Sequence, residues 1–155
     1  MATPVDEVHA RLPAIRVFTA AEADALVAPL EGIFARMDPK LARIRELREL
    51  VEDSEAYWGD DLALAPENDR ENYARLLDDL DAARDELEAD ITDIRSLGAE
   101  PKDLHAGLVD FYARVNGNLA FLCWQRGEPR VAHWHTLEGG FAGRKPLEGP
   151  PKAEP

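Results

Sequence analysis

Chemically useful side chains concentrate in the last third of the chain, around two predicted strands. Asn116-Gly117 is typical of a two-residue hairpin turn of type I′, because both residues accept positive φ. Counting outwards from such a turn places Asp110 opposite Cys123, on one face of the hairpin. Burying a carboxylate is costly unless it is paired, so Asp110 in an otherwise apolar strand is a candidate functional residue.

Two histidines follow on a third predicted strand. His133 and His135 are two residues apart and therefore share a face of that strand. A second turn of even length puts them on the face of Trp124, whereas a turn of odd length puts them with Asp110 and Cys123. The sequence leaves both arrangements open.

Three of these residues are weak candidates for metal ligands. His135, Cys123 and Asp110 carry suitable donor atoms, but the chain has no CxxC, no HExxH and no second cysteine. A cysteine beside a histidine is also a candidate nucleophile, although a buried cysteine often acts as a small hydrophobe. No cofactor is predicted, since the GGFAG run at 139–143 lacks the spacing of a dinucleotide loop.

The elements that must position these residues begin with two amphipathic helices. Apolar residues recur three and four apart over 30–57 and again over 69–97, and Pro39 is expected to kink or divide the first helix. Asn68 or Asp69 is expected to cap the second helix. Helices joined by a short connection fold back on each other, so an antiparallel hairpin of coiled-coil type is expected.

The predicted fold class is α+β, a long antiparallel helical hairpin followed by a three-stranded antiparallel β-meander. Thr19 and Glu22 form a capping-box signature ahead of the hairpin, and Gly98 suits its end. The expected organisation is a flexible leader over 1–14, a single domain over 15–147 and a disordered tail over 148–155. Within the domain the hairpin covers 15–98, the meander 104–136 and an irregular segment 137–147.

Charge and composition limit the function classes. The formal net charge is −13, and residues 46–90 hold 17 acidic and 4 basic side chains, which account for all of it. Such a surface repels phosphate backbones and argues against nucleic-acid binding there.

Cys123 is the only cysteine, so no internal disulfide can form, and a reducing cytoplasm fits. No stretch approaches the roughly 20 apolar residues of a membrane span, and no membrane partner is predicted.

Three runs of the sequence resemble a known family. VFTAAEADALVAPLEGIF, GAEPKDLHAGLVDF and LCWQRGEPRVAHWHTLEGGFAGRKPL are similar to the bacterial domain-of-unknown-function family 2203, over roughly residues 15–147. The last run is the specific part, with the pattern LCW, GEP, WH and GFAGR. His133 departs from it, since an aromatic residue is expected there, and His135 is the better ligand candidate. Motif positions fall on Asp110, Cys123, Trp124, Glu128, Trp134, His135, Gly140 and Arg144.

The resemblance implies kinship without an activity, so two functions remain. The sequence favours a non-enzymatic interaction or scaffold protein, a homo-oligomer formed through the helices with or without another protein partner. The alternative is a small enzyme or a metal or ligand sensor with a polar site on the meander. For that site we expect Arg144 to fold back and pair with Glu128 or Asp110, because an arginine fork holds a carboxylate by two bonds.

Overall fold

The computed structural model describes residues 15–147 and Ala153–Glu154. A short helix α1 (Ala20–Asp24) leads into α2 (Val27–Trp58), and a 3₁₀ turn (Gly59–Leu64) connects α2 to α3 (Glu67–Ser96). The predicted hairpin is therefore present, and Pro39 lies inside one continuous helix. In the described residues no helix has the length and apolar character needed to cross a membrane.

The helix ends follow the predicted signals in two of three places. Thr19 and Glu22 form the capping box on α1, and Gly98, at φ +91°, follows the end of α3. The expected cap of α3 at Asn68 or Asp69 is wrong, because the helix starts earlier and Pro66 occupies the capping position without a side-chain bond. The fixed φ of proline suits a helix start, and acidic residues in the first turn complement the helix dipole.

A buried carboxylate joins the two long helices. Asp90, on α3, accepts hydrogen bonds of 2.7 Å from Arg36 Nε and from Lys40 Nζ, both on α2. Arg36 also reaches Asp93 at 2.6 Å. These bonds fix which turn of α2 lies beside which turn of α3.

The sheet contains the predicted hairpin in the predicted register. Strands β2 (Leu108–Val115) and β3 (Asn118–Gln125) are antiparallel, and Asp110 lies opposite Cys123. Asn116 and Gly117 have φ of 56° and 78°, as a type I′ turn requires.

The expected three-stranded meander is incomplete, because the described part of the chain forms a sheet of six strands. Strand β1 (Glu100–Asp103) pairs with β2, and β4 (His133–His135), the third predicted strand in a shorter form, pairs with β3. The segment predicted to be irregular contains a 3₁₀ turn (Phe141–Gly143) and β5 (Lys145–Pro146), which pairs with β4. Strand β6 (Ala153–Glu154) pairs with the end of β2. The predicted leader and most of the predicted tail lie outside the described residues.

The two faces of the sheet have different neighbours. Val109, Phe111, Leu122 and Trp124 share a core with the helices, and the Trp124 ring lies 6.1 Å from that of Phe34 on α2. Because side chains alternate along a strand, Asp110, Phe121 and Cys123 point to the opposite face. Part of that second face lies against the strap, which we define as residues 137–144.

Candidate functional site

Three buried side chains meet under the strap. Phe121 lies opposite His135 and Cys123 opposite His133, so both histidines share the face of Asp110, the odd-turn alternative. Donor atoms of Asp110, Cys123 and His135 all lie within 4.8 Å of one another. The sequence analysis named these same three residues as metal-ligand candidates.

The hydrogen bonds of His135 define its tautomer. Nδ1 lies 2.7 Å from the carbonyl oxygen of Thr136, which can only accept, so Nδ1 carries a hydrogen. Nε2 lies 3.0 Å from Oδ2 of Asp110. In a neutral imidazole this nitrogen presents a lone pair, and an ionised carboxylate presents another. A positive charge, either a proton or a metal ion, must therefore lie between the two atoms.

Cys123 completes the group as a protonated thiol. Burial raises the pKa of the Cys123 thiol to about 12, and the nearby carboxylate of Asp110 adds to the rise. A thiol with so high a pKa is a poor nucleophile near neutral pH. The arrangement therefore disfavours cysteine catalysis, whereas a metal ion can displace the thiol proton on binding.

The three residues line one side of a cavity of about 230 Å³. Its walls are part apolar and part polar, and the polar groups other than the three buried residues are Lys102 and Glu138. The ammonium of Lys102 lies 5.0 Å from the centroid of the Phe121 ring, which in turn lies 5.4 Å from the His135 ring. The other lining residues are Leu108, Leu137, Gly140 and Phe141.

A second polar cluster holds the end of the strap. Arg144 donates to both carboxylate oxygens of Glu128, at 2.8 and 3.1 Å, and its guanidinium lies 4.8 Å from the centroid of the Phe141 ring. Burial raises the pKa of Glu128, but the hydrogen bonds from Arg144 and from the N–H of Gln125 outweigh it and hold that pKa below its ordinary value. Because Phe141 also lines the cavity, this ion pair positions part of the cavity wall.

With the site described, its residues can be compared with known proteins. A model of the family described as Uncharacterized conserved protein (DUF2203) matches residues 16–147. The chain belongs to the DUF2203 family. Comparisons with curated proteins and with solved structures find no significant match.

Several motif residues of this DUF2203 chain lie outside the cavity. Trp124 is in the core between sheet and helices, and its Nε1 donates to the carbonyl of Glu128 at 2.9 Å. Trp134 packs against the same core. Glu128 and Arg144 form the separate ion pair, with Nδ1 of His133 3.5 Å from Glu128. The structure thus divides the predicted site residues among the core, the cavity and the strap.

The apolar and charged walls of the DUF2203 cavity were missed by the sequence analysis. Phe121 could have been found, because it lies two residues before Cys123 and so shares its face. Lys102 gave no usable signal, since its position depends on the pairing of β1 with β2. Glu138 and Phe141 belong to the strap; the sequence predicted that Arg144 at its end folds back, but no pattern placed these two residues beside the cavity.

Proposed function

We propose that the chain binds one thiophilic divalent cation, zinc in the first place, through Asp110, Cys123 and His135. The metal would hold a small ligand in the adjoining cavity, so the protein acts as a metal-dependent ligand-binding protein or sensor. A thiolate, an imidazole and a carboxylate are all ordinary zinc ligands. Zinc sites with three protein ligands keep a fourth position for water or substrate, and here that position would face the cavity.

The observation that carries the proposal is the orientation of His135. Its Nδ1–H is held by the Thr136 carbonyl, and its Nε2 lone pair is aimed at the Asp110 carboxylate. Metal-binding histidines commonly have this arrangement, with one nitrogen donating to a carbonyl and the other free for the metal. The same geometry without a metal requires a shared proton between His135 Nε2 and the Asp110 carboxyl group.

The distances allow a metal with a modest adjustment. Bond lengths of about 2.3 Å to sulfur and about 2.0–2.2 Å to nitrogen and oxygen place tetrahedral ligand atoms roughly 3.3–3.6 Å apart. The three donor atoms lie within 4.8 Å of one another, so the widest pair closes by about 1 Å on binding. Side-chain rotation of Cys123 or Asp110 can supply that movement.

The test is a metal titration of the full chain after removal of metal with a chelator. We expect one zinc per chain, and one cobalt(II) with the absorption of a thiolate–cobalt bond. His135→Gln and Cys123→Ser should each weaken zinc binding at least about 100-fold. His133→Gln is the matched control, since His133 is on the same strand and face but lies beside Glu128, and it should bind zinc as the parent does.

Two results would contradict the proposal. One is a parent protein, shown to be folded by its circular dichroism, that takes up no zinc at micromolar concentration. The other is equal loss of zinc binding in His133→Gln and His135→Gln, because that would place the metal elsewhere. Zinc should also raise the melting temperature of the parent, since a ligand of the folded state stabilises it.

A second candidate function is self-association through the far half of the hairpin, in keeping with the interaction role that the sequence favoured. Large apolar side chains are exposed there, with Tyr57 at 79% and Leu64 at 83% exposure, and Leu50 and Leu77 less so. Grouped exposed apolar residues often mark interaction surfaces. We propose that this tip forms a homodimer. The single free thiol suits a reducing cytoplasm as the place where it does so.

Light scattering tests the dimer. The acidic surroundings of the tip oppose association at low salt, so the dimer fraction should rise with ionic strength. Leu64→Asp should give a monomer, whereas Leu119→Asp, at an exposed position beside the β2–β3 turn, should leave the mass unchanged. A monomer of 17.2 kDa at every salt concentration contradicts this second proposal.

A further inference from the structure

The cavity beside the three buried residues has a defined chemical character. Four apolar side chains, Leu108, Phe121, Leu137 and Phe141, line it. An apolar cavity of about 150 Å³ can accept benzene, so a cavity of about 230 Å³ accepts a benzene-sized body with one small polar group. The charge of that polar group depends on the charged side chains in the lining.

Lys102 places a positive charge on one wall of the cavity. Its ammonium lies against the Phe121 ring at 5.0 Å, and within the described residues it takes part in no ion pair. An unpaired ammonium beside a ligand cavity attracts an anion.

The charges of the site agree with an anionic ligand. A divalent cation held by the Asp110 carboxylate and the Cys123 thiolate is formally neutral, and it keeps an open position that a carboxylate oxygen can take. Glu138 is the one carboxylate besides Asp110 in the cavity lining, and it belongs to the strap, where it is exposed to solvent. Lys102 is exposed as well, and its charge offsets that of Glu138, so no net negative charge in the cavity lining repels an anion.

We infer that the cavity binds a small monocarboxylate with an apolar body about the size of benzoate. One carboxylate oxygen would complete the metal coordination, Lys102 would attract the charge, and the ring would lie among the apolar walls. This inference rests on the proposed metal site, and it adds a ligand class and a specificity residue, Lys102, to it.

The experiment uses the zinc-loaded full chain and calorimetric titration with benzoate. We expect benzoate to bind at least about tenfold more tightly than acetate, which lacks the apolar body, and than benzamide, which lacks the charge. Benzylamine, a cation of the same size, should not bind measurably. The metal-free protein should bind benzoate at least about tenfold more weakly than the zinc-loaded protein.

Variants identify the specificity residue. Lys102→Met should weaken benzoate binding about tenfold without changing zinc affinity, and Lys102→Arg should restore most of it. Lys145→Met is the matched control, because Lys145 also lies over an aromatic ring, that of Trp134, but is not among the residues that line the cavity. It should bind benzoate as the parent does.

The outcomes separate this inference from the metal proposal. Stoichiometric zinc binding with equal affinities for benzoate and benzamide, or with tighter binding of benzylamine, overturns the ligand class and leaves the metal site standing. Unchanged benzoate binding in Lys102→Met overturns the role of Lys102. Failure of the parent to bind zinc overturns both proposals together.

Discussion

Two aspartates are buried among the residues that the structure describes, and they are neutralised in different ways. Asp90, between the long helices, is 2% exposed and contacts two side chains with permanent positive charge. Asp110, under the strap, is 4% exposed and faces a histidine nitrogen and a cysteine thiol. Since a buried carboxylate needs compensation, the first arrangement is complete in itself. The second depends on a proton or a metal ion, which solution conditions can exchange.

The largest effect should come from stripping Asp90 of its partners. Arg36→Met with Lys40→Met leaves a buried carboxylate without a cation, and the free energy of unfolding should fall by about 3–5 kcal/mol. Urea denaturation measures the loss. The control is Arg43→Met, on an exposed turn of the same helix, which should change stability by less than about 0.5 kcal/mol. Equal effects would show that the Asp90 contacts are ordinary surface pairs.

Removing the cation from the Arg144–Glu128 ion pair should lower stability, as removing the cations beside Asp90 does. Arg144→Ala leaves the partly buried Glu128 without its cation, and we expect stability to fall by about 1–3 kcal/mol. Glu128→Gln, which can still accept from the N–H of Gln125, should cost less. If Arg144→Ala left the melting curve unchanged, the pair would be a binding group instead of a structural latch.

The sharpest test of the comparison exchanges each aspartate for asparagine in metal-free protein. Asp90→Asn weakens two charge-assisted bonds and should lower the free energy of unfolding by about 1–3 kcal/mol. Asp110→Asn should lower it by less than about 0.5 kcal/mol or raise it, because an amide N–H can donate to Nε2 of His135, whereas a carboxylate cannot. Similar losses at the two positions would show that the two aspartates are compensated in the same way.

Acid should reveal the fixed charges around Asp90. Burial raises the pKa of Asp90, but hydrogen bonds from Lys40 and Arg36 outweigh it, and the pKa lies below its ordinary value. A carboxyl group with a depressed pKa stabilises the folded state above its unfolded pKa and loses that contribution as pH falls through the folded pKa. The free energy of unfolding of the parent should therefore decrease as the pH drops below about 4. The fall should be shallower in Asp90→Asn, as thermal melts at several pH values will measure.

The smallest effect is expected at the exposed acids of the hairpin tip. Converting Asp60, Asp61 and Glu67 to the corresponding amides should change stability by no more than about 0.5 kcal/mol, because these side chains are solvated. A loss above about 2 kcal/mol, or a rise in melting temperature with calcium in the parent alone, would point to an ion site at the tip.

The sequence predicted those features that local patterns encode. The Asn116-Gly117 turn fixed the pairing of Asp110 with Cys123, and apolar spacing located both long helices. The burial of Asp90 could also have been predicted, because it lies three residues after Leu87 and four before Ile94, on the apolar stripe of α3.

Other features depend on contacts between distant segments. Strand β1 has the sequence EPKD, whose residue types are uncommon in strands, so only its pairing with β2 makes it one. The face of His133 and His135 depended on the course of the second turn. The fold-back of Arg144 was predicted from charge pairing, but neither periodicity nor turn chemistry specifies which strap residues line the cavity.

The length of the hairpin has a practical consequence for protein engineering. A 32-residue helix such as α2 is about 48 Å long, whereas an eight-residue strand spans about 27 Å. Phe34 contacts Trp124 of β3, and Asp38 accepts from Arg126 in the turn that follows β3; both lie in the first half of α2. Removing seven residues from the far half of each helix would keep the apolar stripes facing each other. The far half of the hairpin can thus be shortened, or a reporter domain inserted at its tip, without redesigning the cavity.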